Sequence, residues 1–257
     1  MNRDRLRALF DLTGRVAIVT GGTRGIGRSI AEGFAAAGAG VAVASRKPDA
    51  CAETEGALRA MGGDAIGVPT HVGDLEAIAA LVRRTVDELG RLDIVVNNAA
   101  TPLREDLGTF TPAAYEKAMD VNLRGPVFLV QEALPHLRES PAAAVINVIS
   151  AGAFLPSPFI ATYGATKAAL LSFTRSMAEE FAPLGIRVNA LAPGAVDTEM
   201  MRKNTPEAQE QMAQASFQGR MARPDEIAGP ALFLASDAAS FVTGQVLIAD
   251  GGLVPAR

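Results

Sequence analysis

The stretch Arg15-Val-Ala-Ile-Val-Thr-Gly-Gly-Thr-Arg-Gly-Ile-Gly27 decides the fold. Its first half is a short apolar run of strand length, and its glycine-rich second half passes directly into an apolar-periodic helix ending near Gly38. Glycines at 21, 25 and 27 permit a tight turn and close backbone approach. The helix that follows offers free N–H groups and a positive dipole end to a phosphate. Strand, glycine loop and helix therefore read as a nucleotide cradle, although the spacing differs from the Gly-x-Gly-x-x-Gly of many dinucleotide folds. Gly21, Thr23, Arg24, Gly25, Ile26 and Gly27 are the expected cofactor contacts of this loop.

Outward from the loop, a second strand, Gly40-Val-Ala-Val-Ala44, ends in Ser45-Arg46-Lys47-Pro48. In a dinucleotide fold this point faces the adenosine ribose, where an acid accepts the 2'-hydroxyl and a cation accommodates a 2'-phosphate. Two adjacent cations and no acid stand here, and Arg24 adds a third. The forked donors of a guanidinium suit a phosphate, so the expectation is NADP(H), with Arg46 as discriminator and Ser45 and Lys47 beside it. The alternative is a basic turn in water.

Further on, strands alternate with helices: a helix from about Asp49 to Met61, a strand Ala65-Ile-Gly-Val-Pro69, and a helix capped by Asp74 and reaching Leu89. A fourth strand, Leu92-Asp-Ile-Val-Val96, ends in Asn97-Asn98-Ala99-Ala100. Thr111-Pro112 starts another helix, and the apolar spacing then runs to about Leu137, with Pro135 expected to bend or end it. The later strands are Ala144-Val-Ile-Asn-Val-Ile149, Ile186-Arg-Val-Asn-Ala-Leu191 and Gly244-Gln-Val-Leu-Ile-Ala249. Repeated βαβ units predict a Rossmann-like, doubly wound parallel sheet of about seven strands with helices on both faces. Residues 1–257 read as one domain, with a polar, weakly capped segment at about 198–219 that is either a lid over the site or a surface helix.

Ser150 follows the fifth strand, and thirteen positions later Tyr163 opens the helical pattern Tyr163-Gly-Ala-Thr-Lys167. Residues four apart share a helix face, so Lys167 stands beside Tyr163. A phenol with a pKa near 10 exchanges protons poorly at neutrality, and an adjacent ammonium is expected to lower that value. Tyr163 then becomes a general acid/base, and Ser150 can bond the same substrate oxygen at the carboxyl edge of the sheet. Asn122 falls amid apolar helix spacing and reads either as a brace or as a catalytic part.

Composition bounds the rest. With 49% hydrophobic and 20% charged residues the chain is globular, and a net charge of −4 without a basic cluster argues against nucleic acid. One cysteine, Cys51, excludes an intrachain disulfide, and the two histidines share no ligand spacing, so no metal is expected. No signal-like apolar core or membrane-length run is present, which places the chain in a reducing, cytoplasm-like compartment away from membranes. The end, Pro255-Ala-Arg257, is no Ser-Lys-Leu address.

Taken together, Thr20-Gly21-x-x-x-Gly25-x-Gly27, Asn97-Asn98-Ala99, Asn122, Ser150, Tyr163 and Lys167, and Pro193-Gly194 with Thr198 resemble the short-chain dehydrogenases/reductases of single-domain type, end to end. The resemblance implies hydride transfer between a nicotinamide and a carbonyl or carbinol carbon. Tyr163 would be the proton donor or acceptor, Ser150 would hold the oxygen, and Lys167 would lower the Tyr163 pKa and bond the nicotinamide ribose. Asn122 would steady a relay water. It also implies cofactor contacts at His71, Val72, Asn98, Pro193, Gly194, Val196 and Thr198, and a homotetramer or dimer through the helices after the fourth and fifth strands and the last strand. Two departures stand out: Ala100 where the family often has Gly, and His71 where it commonly has an Asp facing adenine. Ser45-Arg46-Lys47, His71-Val72-Gly73, Asn98-Ala-Ala100 and Leu155-Pro-Ser-Pro158 resemble the NADP-dependent carbonyl and retinal reductase branch more than the acyl-carrier ketoreductases.

The expected reaction is thus hydride transfer between NADP(H) and a small-molecule carbonyl or secondary alcohol, in either direction, with Phe154, Leu155, Pro156, Phe159, Met200, Met201 and Phe217 as an apolar lining. Alternatives are a 3-oxoacyl thioester (acyl-carrier) reductase, an NAD-dependent alcohol or sugar dehydrogenase, a nucleotide-sugar epimerase or dehydratase, and a cofactor-binding scaffold without turnover. The intact tetrad disfavours the scaffold, and the lack of a carboxyl-terminal substrate domain disfavours the sugar-nucleotide reaction.

Overall fold

A computed structural model describes residues 1–103, 106–156 and 160–254. Ser157, Pro158 and Phe159 of the expected pocket and branch signature, and the Pro255-Ala-Arg257 tail, lie outside the described residues. Seven strands form one sheet: β1 (Val16–Thr20), β2 (Gly40–Ser45), β3 (Ala65–Pro69), β4 (Ile94–Asn97), β5 (Ala144–Val148), β6 (Arg187–Pro193) and β7 (Val246–Ala249). Their order is β3-β2-β1-β4-β5-β6-β7, and every pairing is parallel. The order reverses between β1 and β4, which opens a crevice at their carboxyl ends, where such sheets bind ligands.

The helices are α1 (Arg3–Ala8), α2 (Gly25–Ala36), α3 (Pro48–Ala60), α4 (Leu75–Leu89), α5 (Pro112–Met119), α6 (Gly125–Arg138), α7 (Ala161–Phe181), α8 (Glu199–Arg202), α9 (Pro206–Gln214) and α10 (Asp225–Ala235). On one face of the sheet Ile30 and Phe34 of α2 meet Ile227 and Leu234 of α10. On the other, Ile78 and Leu81 of α4 meet Leu129 and Leu137 of α6 and Met177 and Phe181 of α7. A sheet covered on both faces needs strands that are apolar throughout, which is why β1 and β5 are buried at every position.

Several expectations need correction. The fourth strand starts at Ile94 because Asp93 is taken up in a polar knot. Its carboxylate accepts from Val16 N, Arg91 and the Ser140 hydroxyl. Pro135 does not end α6, which continues to Arg138. The polar segment after Thr198 has clear starts: Thr198 caps α8 by accepting from Met201 N, and Thr205 caps α9, with Pro206 in its first turn. The lead before β1 holds a short helix capped by Asn2. Among the described residues no helix is long and apolar enough to cross a membrane.

Candidate active site

Ser150 lies just past β5 with extended backbone, and its hydroxyl accepts from Gly152 N at 3.1 Å, closing a short turn over Ala151–Ala153. Tyr163 is the third residue of α7, and a side-chain hydrogen bond joins it to Ser150. Lys167, one turn further on, is only 2% exposed. Its Nζ donates to Val148 O at 2.8 Å and stands 5.6 Å from the centre of the Tyr163 ring. Strand end and helix start thus deliver hydroxyl, phenol and ammonium to one place.

The electrostatics differ from expectation. Burial pushes the Tyr163 phenol above its ordinary value, and the Ser150 bond opposes that rise only in part. Burial also pulls Lys167 down to about 8. The Lys167 ammonium donates to Val148 O, and among the described residues no hydrogen bond joins it to the Tyr163 oxygen. Desolvation dominates both groups.

Asn122 lies, fully buried, in a π-helical turn, Asp120–Arg124, between α5 and α6. Such turns displace one residue from the regular helix face. The Asn122 amide accepts from Thr101 N at 2.8 Å and donates to Thr101 O at 2.9 Å and to Thr166 Oγ1 at 3.3 Å. Thr166 in turn donates to Tyr163 O. The side chain therefore braces the segment after β4 against α7.

The glycine loop has the shape of a phosphate cradle. Gly21 and Gly25 have φ of 65° and 52°, and a Cβ on Gly27 would fall 2.3 Å from Gly21 O. No side chain caps α2, so its first N–H groups stay open to an anion. Across the crevice, a Cβ on Gly25 would lie 3.1 Å from Thr198 Cγ2, which brings the loop and the Pro193–Thr198 segment together. Gly194 packs so tightly that a Cβ there would be 2.8 Å from Asp250 Cα, and Val196 is buried. Asn98, an expected cofactor contact, donates to Thr20 O and Gly21 O and so braces the loop.

At the end of β2, Ser45 is half-buried, while Arg46 and Lys47 are exposed and form no ion pair or side-chain hydrogen bond among the described residues. Arg24 is not the third member of that cluster: it pairs with Glu199 at the start of α8. Val72 is buried, and His71 Nδ1 accepts from Gly73 N at 3.1 Å, an internal bond of its own loop. Thr23 and Ile26 are half-buried in the glycine loop. Of the expected apolar lining, Phe217 is 86% exposed and lies against Gly252. Phe154 and Met200 are also exposed.

Three contributors escaped the sequence reading. Thr20 Oγ1 accepts from Asn98 N and Ala99 N, locking the end of β4 to β1. A hydroxyl closing a wholly apolar strand was the available signal. Thr166 and Glu199 carried none, since their partners are distant in sequence.

Residues 21–254 match the family model described as enoyl-(acyl carrier protein) reductase. The chain is 38% identical over 249 residues to the short-chain dehydrogenase/reductase SDRA of Arabidopsis thaliana, with 96% of each chain covered. It is 39% identical over 251 residues to the rhamnolipids biosynthesis 3-oxoacyl-[acyl-carrier-protein] reductase of Pseudomonas aeruginosa, covering 95% of this chain and 97% of that one. Among solved structures, a gluconate 5-dehydrogenase from Burkholderia cenocepacia in complex with NADP and tartrate superposes with a TM-score of 0.93 at 35% identity, over 98% of this chain and 100% of the other.

Proposed function

The chain belongs to the short-chain dehydrogenase/reductase family and is an oxidoreductase; on that premise we propose that it reduces ketones, or oxidises the matching secondary alcohols, with NADP(H) as its preferred coenzyme. The observation that carries this reading is the meeting of Ser150, Tyr163 and Lys167 at the carboxyl edge of β5. When bound, a reduced nicotinamide supplies the hydride. Tyr163 gives its proton to the carbonyl oxygen as charge develops there, and takes it back in the reverse direction. Ser150 holds that oxygen and, through its bond to Tyr163, favours the phenolate that remains. Lys167 anchors α7 to β5 through Val148 O and would bond the nicotinamide ribose with its remaining donors. Asn122 keeps the Thr101 backbone and Thr166 in place beside them.

The open start of α2 and the crowded glycines suit a pyrophosphate. Arg46 and Lys47, unpartnered among the described residues at the end of β2, suit a 2'-phosphate, and the gluconate 5-dehydrogenase that superposes on this chain holds NADP. Leu155, Pro156, Met200 and Met201 favour a substrate with hydrocarbon or aromatic flanks. The segment at 198–219 acts as its lid within one domain spanning 1–257. A 3-oxoacyl thioester is the second reading, favoured by the Pseudomonas reductase at 39% identity. A single cysteine suits a reducing cytoplasm, and the exposed Phe173, Phe241 and Ile248 suit a homotetramer, which light scattering would test.

The deciding experiment follows NADPH oxidation against aryl ketones, quinones, retinoids, sugars and 3-oxoacyl thioesters, repeated with Tyr163→Phe. Turnover of one class that Tyr163→Phe abolishes supports the reading. No turnover with any class, or turnover that survives the substitution, ends it.

A further inference from the structure

We propose that Asn147 and Thr174 are positioning residues for this reaction: the buried polar chain they belong to fixes how far α7 stands along β5, and with it the placement of Tyr163 against Ser150. This goes beyond the assignment of the site but rests on Tyr163 and Ser150 acting there.

Asn97 of β4 and Asn147 of β5 are register partners and are 2% and 0% exposed. Asn97 Nδ2 donates to Asn147 Oδ1 at 2.9 Å and to Pro126 O at 3.3 Å. Asn147 Nδ2 donates to Thr174 Oγ1 at 2.9 Å, and that hydroxyl donates to Leu170 O at 2.8 Å. The chain thus runs from α6 through β4 and β5 into α7. These elements carry or adjoin Asn122, Asn98, Ser150, Tyr163 and Lys167.

Thr174 lies two turns beyond Lys167 on the same helix face. Asn147 immediately precedes Val148, whose carbonyl takes the Lys167 ammonium. Helix and strand are therefore tied twice along one line. Around these ties the packing is apolar: Ile149, Leu170 and Leu171 toward the site, and Val145, Met177 and Phe181 away from it. Apolar contact is non-directional and tolerates a small slide of one element on the other. A buried amide bonded to a hydroxyl does not, because a slide strands both. The Lys167 tie belongs to a group that loses its proton near pH 8, whereas Asn147 and Thr174 carry no charge and hold the helix at any pH.

The test compares Thr174→Val, which keeps the shape and removes the hydroxyl, with Thr174→Ser, which keeps the hydroxyl. Met177→Ala is the control for lost packing on the same helix. Each protein is assayed with NADPH and the best carbonyl substrate of the wild type, at a temperature where all are folded. Thr174→Val is expected to lose about tenfold or more in kcat with a nearly unchanged KM for NADPH, since small misplacements near a reacting centre are costly. Its primary deuterium isotope effect on kcat should rise as hydride transfer becomes limiting. Thr174→Ser should match the wild type, and Met177→Ala should lose stability without either kinetic change. A second readout needs no turnover: the chain has two tyrosines, and Tyr115 is exposed. Absorbance titration should show the Tyr163 step displaced in Thr174→Val while the Tyr115 step stays put. Wild-type kinetics in Thr174→Val, an equal kcat loss in Met177→Ala, or an unmoved Tyr163 step would overturn the proposal. An inactive wild type would overturn the catalytic reading instead and leave the titration to decide this one.

Discussion

Arg24 of the glycine loop and Glu199 at the start of α8 form an ion pair across the crevice, although 175 positions separate them in sequence. Lys203 reaches the same carboxylate from one turn further along. The pair joins the glycine loop to the first residue of α8, and both side chains are more than half exposed. A solvated pair of this kind adds little to stability. On the proposed reading its consequence lies in competition, because Glu199 holds a cation that the coenzyme phosphate would otherwise meet. Glu199→Gln is therefore expected to tighten NADPH binding about two- to threefold at low salt, with Tm almost unchanged. Fluorescence titration of the coenzyme would measure it, and weaker binding in the variant would show that the carboxylate helps to shape the site.

Arg46 is the second electrostatic test. It is exposed at the carboxyl end of β2 and forms no ion pair or side-chain hydrogen bond among the described residues, so its removal should leave stability alone. A guanidinium on a phosphate makes charge-assisted bonds. Arg46→Ala should lower kcat/KM for NADPH by about 10- to 100-fold while leaving that for NADH within about twofold. An unchanged ratio between the coenzymes would sink the NADP(H) assignment.

The outcome of the sequence reading follows from the range of the interactions involved. Strands buried on both faces must be apolar runs, so β1, β2, β3 and β5 were legible to within a residue or so. Local caps such as Asp74 and Thr111 were legible because donor and acceptor lie within three residues of each other. The caps at Thr198 and Thr205 were equally local, but the polar surroundings hid them. The π turn was not legible, since apolar spacing looks the same on either side of one displaced residue. Nor was the depression of Lys167, which depends on burial by distant elements, or the use of Asn98 as a brace, which depends on where Thr20 ends.

Tyr163 supplies a prediction in which activity and binding part company. Replacing its phenol by Phe keeps the ring beneath Lys167 and removes the proton that the proposed reaction needs. Tyr163→Phe should lower kcat by about 10²- to 10⁴-fold and leave the Kd for NADPH nearly unchanged. Ser150→Ala should fall in the same direction by a smaller factor, because it removes one donor to the developing charge and the bond that opposes the rise of the phenol. Retained kcat in Tyr163→Phe would mean that another group moves the proton.

Lys167 makes the coenzyme-free protein's stability depend on pH in a direction that can be worked out. Its folded pKa is about 8 against an ordinary 10.5, so between those values the unfolded chain binds the proton and the folded chain does not. Stability rises with pH wherever the unfolded state holds more protons. Burial of the charged ammonium thus weakens the fold fully below pH 8, and the penalty disappears as pH climbs toward 10.5. For a side chain this deeply buried the change is about 3 kcal/mol. Tyr163 works the other way: its folded pKa is raised, so it keeps its proton while the unfolded phenol loses one, and stability falls above pH 10. Subtraction separates the two, because Lys167→Met removes the ammonium, keeps most of the aliphatic volume and leaves Tyr163 in both proteins. Urea unfolding of wild type and Lys167→Met at intervals from pH 7 to 10 should show the wild type gaining on the variant by about 2 to 3 kcal/mol across that range. A difference that stays flat with pH would mean that the ammonium is solvated rather than held against Val148 O and the Tyr163 ring.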